Sequence, residues 1–169
     1  VFDQLTSWTT HVIRDYNIDG FRIDTVMYVS KTFWKVWKSQ FVTDSMISMG
    51  EVYDGRPDYV ASYSNIIGST LSFPLFFTLR NVFAEQQSMY SIRTLLISYK
   101  KYFADPTGLG VFIDNHDFPR FLSLQTDWKL YQNSLTYVMF AEGYATRCSC
   151  FLFSHKFFFL YHQKKPIKK

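Results

Sequence analysis

Three short strings in this chain each set a carboxylate where an apolar, strand-like run gives way to polar loop: GFRIDTV at Gly20 to Val26, GEVYDG at Gly50 to Gly55, and FIDNHD at Phe112 to Asp117. Asp24 and Glu51 are 27 residues apart, and Glu51 and Asp117 are 66 apart. In a closed barrel of eight parallel strands and about 250 residues, one strand-helix unit takes roughly 31. The acids therefore fit strand ends one unit and two units apart. All strands of such a barrel end on one face, so carboxylates distant in sequence meet in one pocket there. That is a catalytic arrangement.

The local pattern agrees with alternating strands and helices. Val1 to Tyr16 is amphipathic at helical spacing through Leu5, Trp8, Val12 and Ile13, and Asn17 to Gly20 breaks it. Phe21 to Asp24 alternates as a strand, and Ser30 is the predicted N-cap of a helix with the apolar stripe Phe33, Val36, Trp37 and Phe41. Met46 to Val52 is the next strand, and Thr70 to Phe83, with Pro74, predicts a strand running into a helix. Ser91 to Phe103 is helical, Asp105 to Gly108 turns, Leu109 to Ile113 is a strand, and Tyr131 to Ala141 is a helix stopped by Gly143. One helix followed by four strand-helix units places the chain in the α/β class.

Composition mainly excludes. The formal charge of +4 invites a nucleic-acid reading until it is divided by position: residues from Tyr144 onward hold six Lys or Arg and no acid, leaving 12 basic against 14 acidic residues before them. The body is not basic, so a nucleic-acid partner is not expected. Cys148 and Cys150 both lie in this tail without a metal-ligand set around them. The apolar run Phe151 to Tyr161 is interrupted by His155 and Lys156 and is far short of the roughly 20 residues that span a bilayer. No signal peptide is visible, and the chain begins at Val1 within a helical pattern.

Taken in order and with their spacing, the three strings resemble the second, third and fourth signature regions of the α-amylase family of glycoside hydrolases. The resemblance runs from about Val1 to Gly143 and implies part of a (β/α)8 TIM barrel, about strands four to seven with their helices. It implies Asp24 as the catalytic nucleophile, Glu51 as general acid and base, and Asp117 as the carboxylate that stabilises the transition state. Arg22, two residues before Asp24 on the same strand face, is placed to hold Asp24 ionised. His116 and Tyr53 are expected to contact substrate. Each has a plainer alternative: Arg22 with Asp24 as a structural ion pair, Glu51 as an exposed strand-end acid, and His116 with Asp114 and Asp117 as a metal cluster or capped turn. Asp19 reads as a turn residue, Asn115 and Arg120 as pocket or structural residues, and Tyr63 as core.

The departures matter as much. After Val26 the family commonly shows Lys-His, where this chain has Met27 and Tyr28. The sugar contacts of that pair are lost, while the backbone carbonyl of Tyr28 remains available to calcium. The first signature region lies upstream of Val1, so calcium is expected in the intact relative and not to be bound tightly by this chain. Residues 1–143 are expected to form a partial catalytic domain. Residues 144–169, unlike the family, are expected to be a disordered tail from frameshift or read-through, with an aromatic, basic membrane-surface segment as the alternative.

The implied function is retaining hydrolysis of internal α-1,4 bonds in starch or glycogen, with an α-glucan as partner and a secreted or vacuolar location. The alternatives are α-glucosidase or transglycosylase activity, a non-catalytic amylase-like protein, or a truncated product. With only four strands predicted, the chain alone is expected to be inactive.

Overall fold

The computed structural model describes residues 2–43 and 46–145. The readings made for Val1 and for residues 146–169, including the disordered tail, lie outside the described residues.

Five parallel strands follow one another in chain order: β1 (Gly20–Ile23), β2 (Ile47–Gly50), β3 (Ser69–Thr70), β4 (Gly110–Val111) and β5 (Tyr144–Ala145). β1 pairs with β2 in the register Gly20 to Ile47 and Ile23 to Gly50, and β2 pairs with β3 through Met49 and Ser69. A parallel bridge between Leu71 and Gly110 joins this ladder to the β4–β5 pair. Helix α1 (Phe2–Tyr16) precedes β1, and α2 (Lys31–Phe41) and α3 (Pro57–Ile67) make the next two crossovers. α4 (Phe73–Phe83) with α5 (Tyr90–Tyr102), then α6 (Phe121–Leu124) with α7 (Trp128–Phe140), make the last two. Parallel strands joined by helical crossovers are part of a (β/α)8 barrel, as expected.

Two of the differences from the sequence pattern, α3 and β5, have local causes. Residues 57–67 carry no predicted element above and form α3, which has Pro57 in its first turn and ends at Gly68 with φ 115°. Proline just inside the start and glycine just past the end are the signals that mark it. β5 lies past Gly143, where no strand is expected; two residues are too few for alternation to register, and β4 supplies the pairing.

Capping and packing explain the helices that carry the site. Ser30 Oγ accepts from the Phe33 amide at 3.2 Å, the cap expected from the sequence. Trp34 Nε1 donates to the Val26 carbonyl at 2.9 Å and Trp37 Nε1 to Thr9 Oγ1 at 3.2 Å, tying α2 to the turn after β1 and to α1. An apolar cluster, Phe73, Phe76 and Phe112 with Leu71, Phe77 and Phe118 against it, lies between α4 and the segment after β4. Phe76 is fully buried and stacks on Phe112 at 4.9 Å. Burial of one such ring contributes about 1.5–3 kcal/mol.

Candidate active site

Because the strands are parallel, Asp24, Glu51 and the 112–120 segment all leave the sheet at one edge. The first two are locked by backbone: the Glu51 amide donates to the Ile23 carbonyl at 2.8 Å, and the Val26 amide donates to the Glu51 carbonyl at 3.1 Å. Between them Thr25 adopts the left-handed conformation, φ 51° and ψ 37°. That is an uncommon state for a non-glycine residue, and it turns the chain sharply after Asp24.

Arg22 holds both acids. Its Nη1 donates to Asp24 Oδ1 at 2.7 Å and its Nη2 to Glu51 Oε2 at 2.8 Å. The two carboxyls also act on each other, a hydrogen bond between them pushing their pKa values apart. Their surroundings differ: the Asp24 side chain is 69% exposed and that of Glu51 only 10%. Burial, then the bond to Asp24, raises the Glu51 pKa from its ordinary 4.5 to about 7. The hydrogen bond from Glu51, reinforced by Arg22, lowers that of Asp24. An ionised acid beside a protonated one follows. The exposed strand-end reading of Glu51 is corrected: Met49 and Val52 are buried on either side of it.

Asp117 and Glu51 line one cleft of about 390 Å³ together with Thr25, Met27, Tyr28, Tyr53, Phe73 and Phe118. Asn115 builds this turn, its Oδ1 accepting from the amides of Asp117 at 3.2 Å and Phe118 at 3.1 Å. His116 Nε2 lies 3.4 Å from Asp117 Oδ2, and its charge, when present, helps to lower the Asp24 pKa. Tyr53 is half exposed and packs edge-on to Phe73 at 5.3 Å. Tyr28 stands at the mouth, 77% exposed.

Several softer candidates resolve to structural positions. Tyr63 is buried, with its hydroxyl donating to the Met27 carbonyl at 3.3 Å. The Asp19 carbonyl accepts from the Ile47 amide, as befits a turn residue beside the ladder. Asp114 does not join a metal cluster; its Oδ1 accepts from the Phe121 amide at 2.8 Å, at the start of α6. Arg120 occupies the N-cap position of α6 and does not line the cleft. Three lining residues were missed from the sequence: Thr25, Phe73 and Phe118. The Asn115-to-Asp117 spacing is an Asx-turn signal that points to Phe118; for Phe73, a helix residue inside a Phe-rich run, no signal exists.

Calcium takes six to eight oxygen ligands. Tyr28 offers one backbone carbonyl, and among the described residues no group of three or more His, Cys, Asp or Glu could hold a metal ion. The described residues do not by themselves make a calcium site.

Comparison with known proteins supplies the lineage. The α-amylase catalytic-domain model matches residues 1–145. An α-amylase from Saccharomycopsis fibuligera is 34% identical over 81% of this chain and 27% of its own length. Alpha-amylase 1 from Lipomyces kononenkoae is 31% identical over 85% of this chain and 23% of its own length. Among solved structures, an α-amylase from Malbranchea cinnamomea superimposes with TM-score 0.78 at 30% identity, over 85% of this chain and 30% of that one. An α-amylase from Geobacillus thermoleovorans, complexed with acarbose, gives TM-score 0.78 at 28% identity over 85% of this chain and 34% of that one. The chain thus spans about a quarter of the two curated relatives. Parallel strands, acids gathered at one sheet edge and these likenesses agree, and the chain belongs to the α-amylase family of glycoside hydrolases.

Proposed function

We propose that the protein containing this chain is a retaining α-glucan hydrolase that cuts internal α-1,4 bonds in starch or glycogen. The observation that carries the proposal is the pair Asp24 and Glu51, bridged by Arg22, with pKa values pushed in opposite directions. Two carboxyls whose environments split their pKa values divide the roles of base and acid. Asp24, kept ionised, attacks the anomeric carbon. Glu51, protonated beforehand, gives its proton to the departing glycosidic oxygen and then takes one from the incoming water. One guanidinium bridging both carboxyls keeps them close together, as a retaining pair at about 5–5.5 Å requires and an inverting pair at about 6.5–9.5 Å does not. Asp117, across the same cleft, stabilises the positive charge that develops on the sugar, and His116 and Tyr53 contact its hydroxyls and face.

Substrate hydrolysis followed by proton NMR tests this directly. The first product is expected as the α-anomer; a β-anomer formed first would rule out the double displacement. The pH profile gives an independent check. Since Glu51 must be protonated and Asp24 ionised, kcat/KM is expected to fall as pH rises through about 7 and to persist down into the acid range because the Asp24 pKa is lowered. An alkaline limb that survives Glu51→Gln would refute the assignment.

α-Glucosidase or transglycosylase action is the second reading, favoured by Met27 and Tyr28 in the cleft where the family commonly has Lys-His. Product analysis separates them: glucose alone, or transfer to a sugar acceptor, in place of mixed oligosaccharides. The proposed activity belongs to the closed barrel, to which this chain brings five described strands. Calcium belongs to the intact protein in this proposal. A secreted or vacuolar location rests on the family resemblance; among the described residues no helix is long and apolar enough to cross a membrane.

A further inference from the structure

Helix α4 reads FPLFFTLRNVF, and Arg80 is its one charged residue. Arg80 is only 8% exposed, and its Nε is buried without a hydrogen-bond partner. Burial lowers its pKa against the field of Asp114, which raises it. A buried cation with an unsatisfied donor costs stability that an apolar residue of similar size would not. Packing alone does not explain an arginine here.

Its contacts do. Arg80 Nη2 donates to the Pro119 carbonyl, and the guanidinium lies over the Phe76 ring at 5.0 Å. Phe76 and Arg80 are four residues apart and share one helix face. Phe76 meets Phe112 at 4.9 Å and Phe118 at 5.1 Å. One face of α4 thus grips the 112–120 loop at its beginning, at Phe118 and at its end. Between those grips the Asn115 turn presents Asp117 to the cleft.

We propose that Arg80 is the positioning residue for Asp117, holding the loop in register with the Asp24 and Glu51 pair. It touches no substrate. The electrostatic worth of Asp117 depends on where its carboxylate sits, and Arg80 sets the far end of the loop that carries it. The proposal rests on the hydrolase reading, and its test is built to fail separately from that reading.

The test uses Arg80→Met and Arg80→Lys in the full protein, with kcat expressed per titrated active site so that unfolded molecules do not count. A displacement of about 1 Å at a catalytic group costs up to about 10²-fold, so Arg80→Met is expected to lose about 10- to 100-fold in kcat with KM changed less than about twofold. Arg80→Lys, which keeps a donor and a charge, is expected to recover most of the loss. Amide hydrogen exchange supplies the readout without turnover: Asp117 and Phe118 are expected to exchange faster in Arg80→Met, while Met49 and Gly50 in β2 are unchanged. Unaltered kcat per site, a lysine variant no better than methionine, or exchange raised equally in β2 would each overturn the proposal. If the unsubstituted protein hydrolysed no α-glucan, the hydrolase reading would fail, and the exchange pattern would still decide the role of Arg80.

Discussion

Asp24→Asn is expected to lower kcat on maltooligosaccharides by about 10⁴-fold or more, the scale seen when a nucleophile that acts as part of a unit is removed. The asparagine oxygen can still accept from Arg22, and the Asp24 side chain is largely exposed, so folding is expected to survive. What disappears is the negative charge that forms the glycosyl-enzyme bond. In Asp24→Gly, which empties the nucleophile's face, a small external anion such as azide is expected to restore partial turnover, giving a β-glycosyl azide. A variant within about tenfold of the parent would place the nucleophile elsewhere.

Glu51→Gln is expected to cost about 10²–10⁴-fold on natural α-glucans, the usual contribution of a general acid-base group. The loss is expected to shrink on substrates with a strongly acidic leaving group, which departs without a proton. Retained activity on starch would refute the role. The same substitution has a signature in stability. In the folded protein the Glu51 pKa is raised from 4.5 to about 7, so its contribution is full below about 4.5 and is lost as pH rises through 7. Glutamine is neutral throughout, so Glu51→Gln is expected to be more stable than the parent above pH 7 and to lose that slope, read as Tm against pH. Asp24, with its pKa lowered, acts in the opposite sense, adding stability above the ordinary carboxylate range that is lost as pH falls.

These expectations draw on two kinds of information. The acids were legible because chemistry at strand ends leaves a local mark: an apolar run, a carboxylate, then polar loop, three times at barrel spacing. The Ser30 cap and the α2 stripe were legible for the same reason, since capping and helical periodicity act over three or four residues. α3 went unassigned although Pro57 and Gly68 flank it, and β5 was invisible because a two-residue strand exists only through its partner.

What the sequence determined by itself is the family, most of the strand-helix order and the candidate carboxylates, because these are written in contiguous residues. Only the tertiary structure decided which acid is buried and which is wet, and hence which is protonated. It also decided that Arg22 bonds Glu51 as well as Asp24, that Asp114 caps a helix instead of joining a metal cluster, and that Arg80 reaches Pro119, 39 residues on. Burial and electrostatic fields are sums over neighbours distant in the chain, and those neighbours are known only once the strands have been brought side by side.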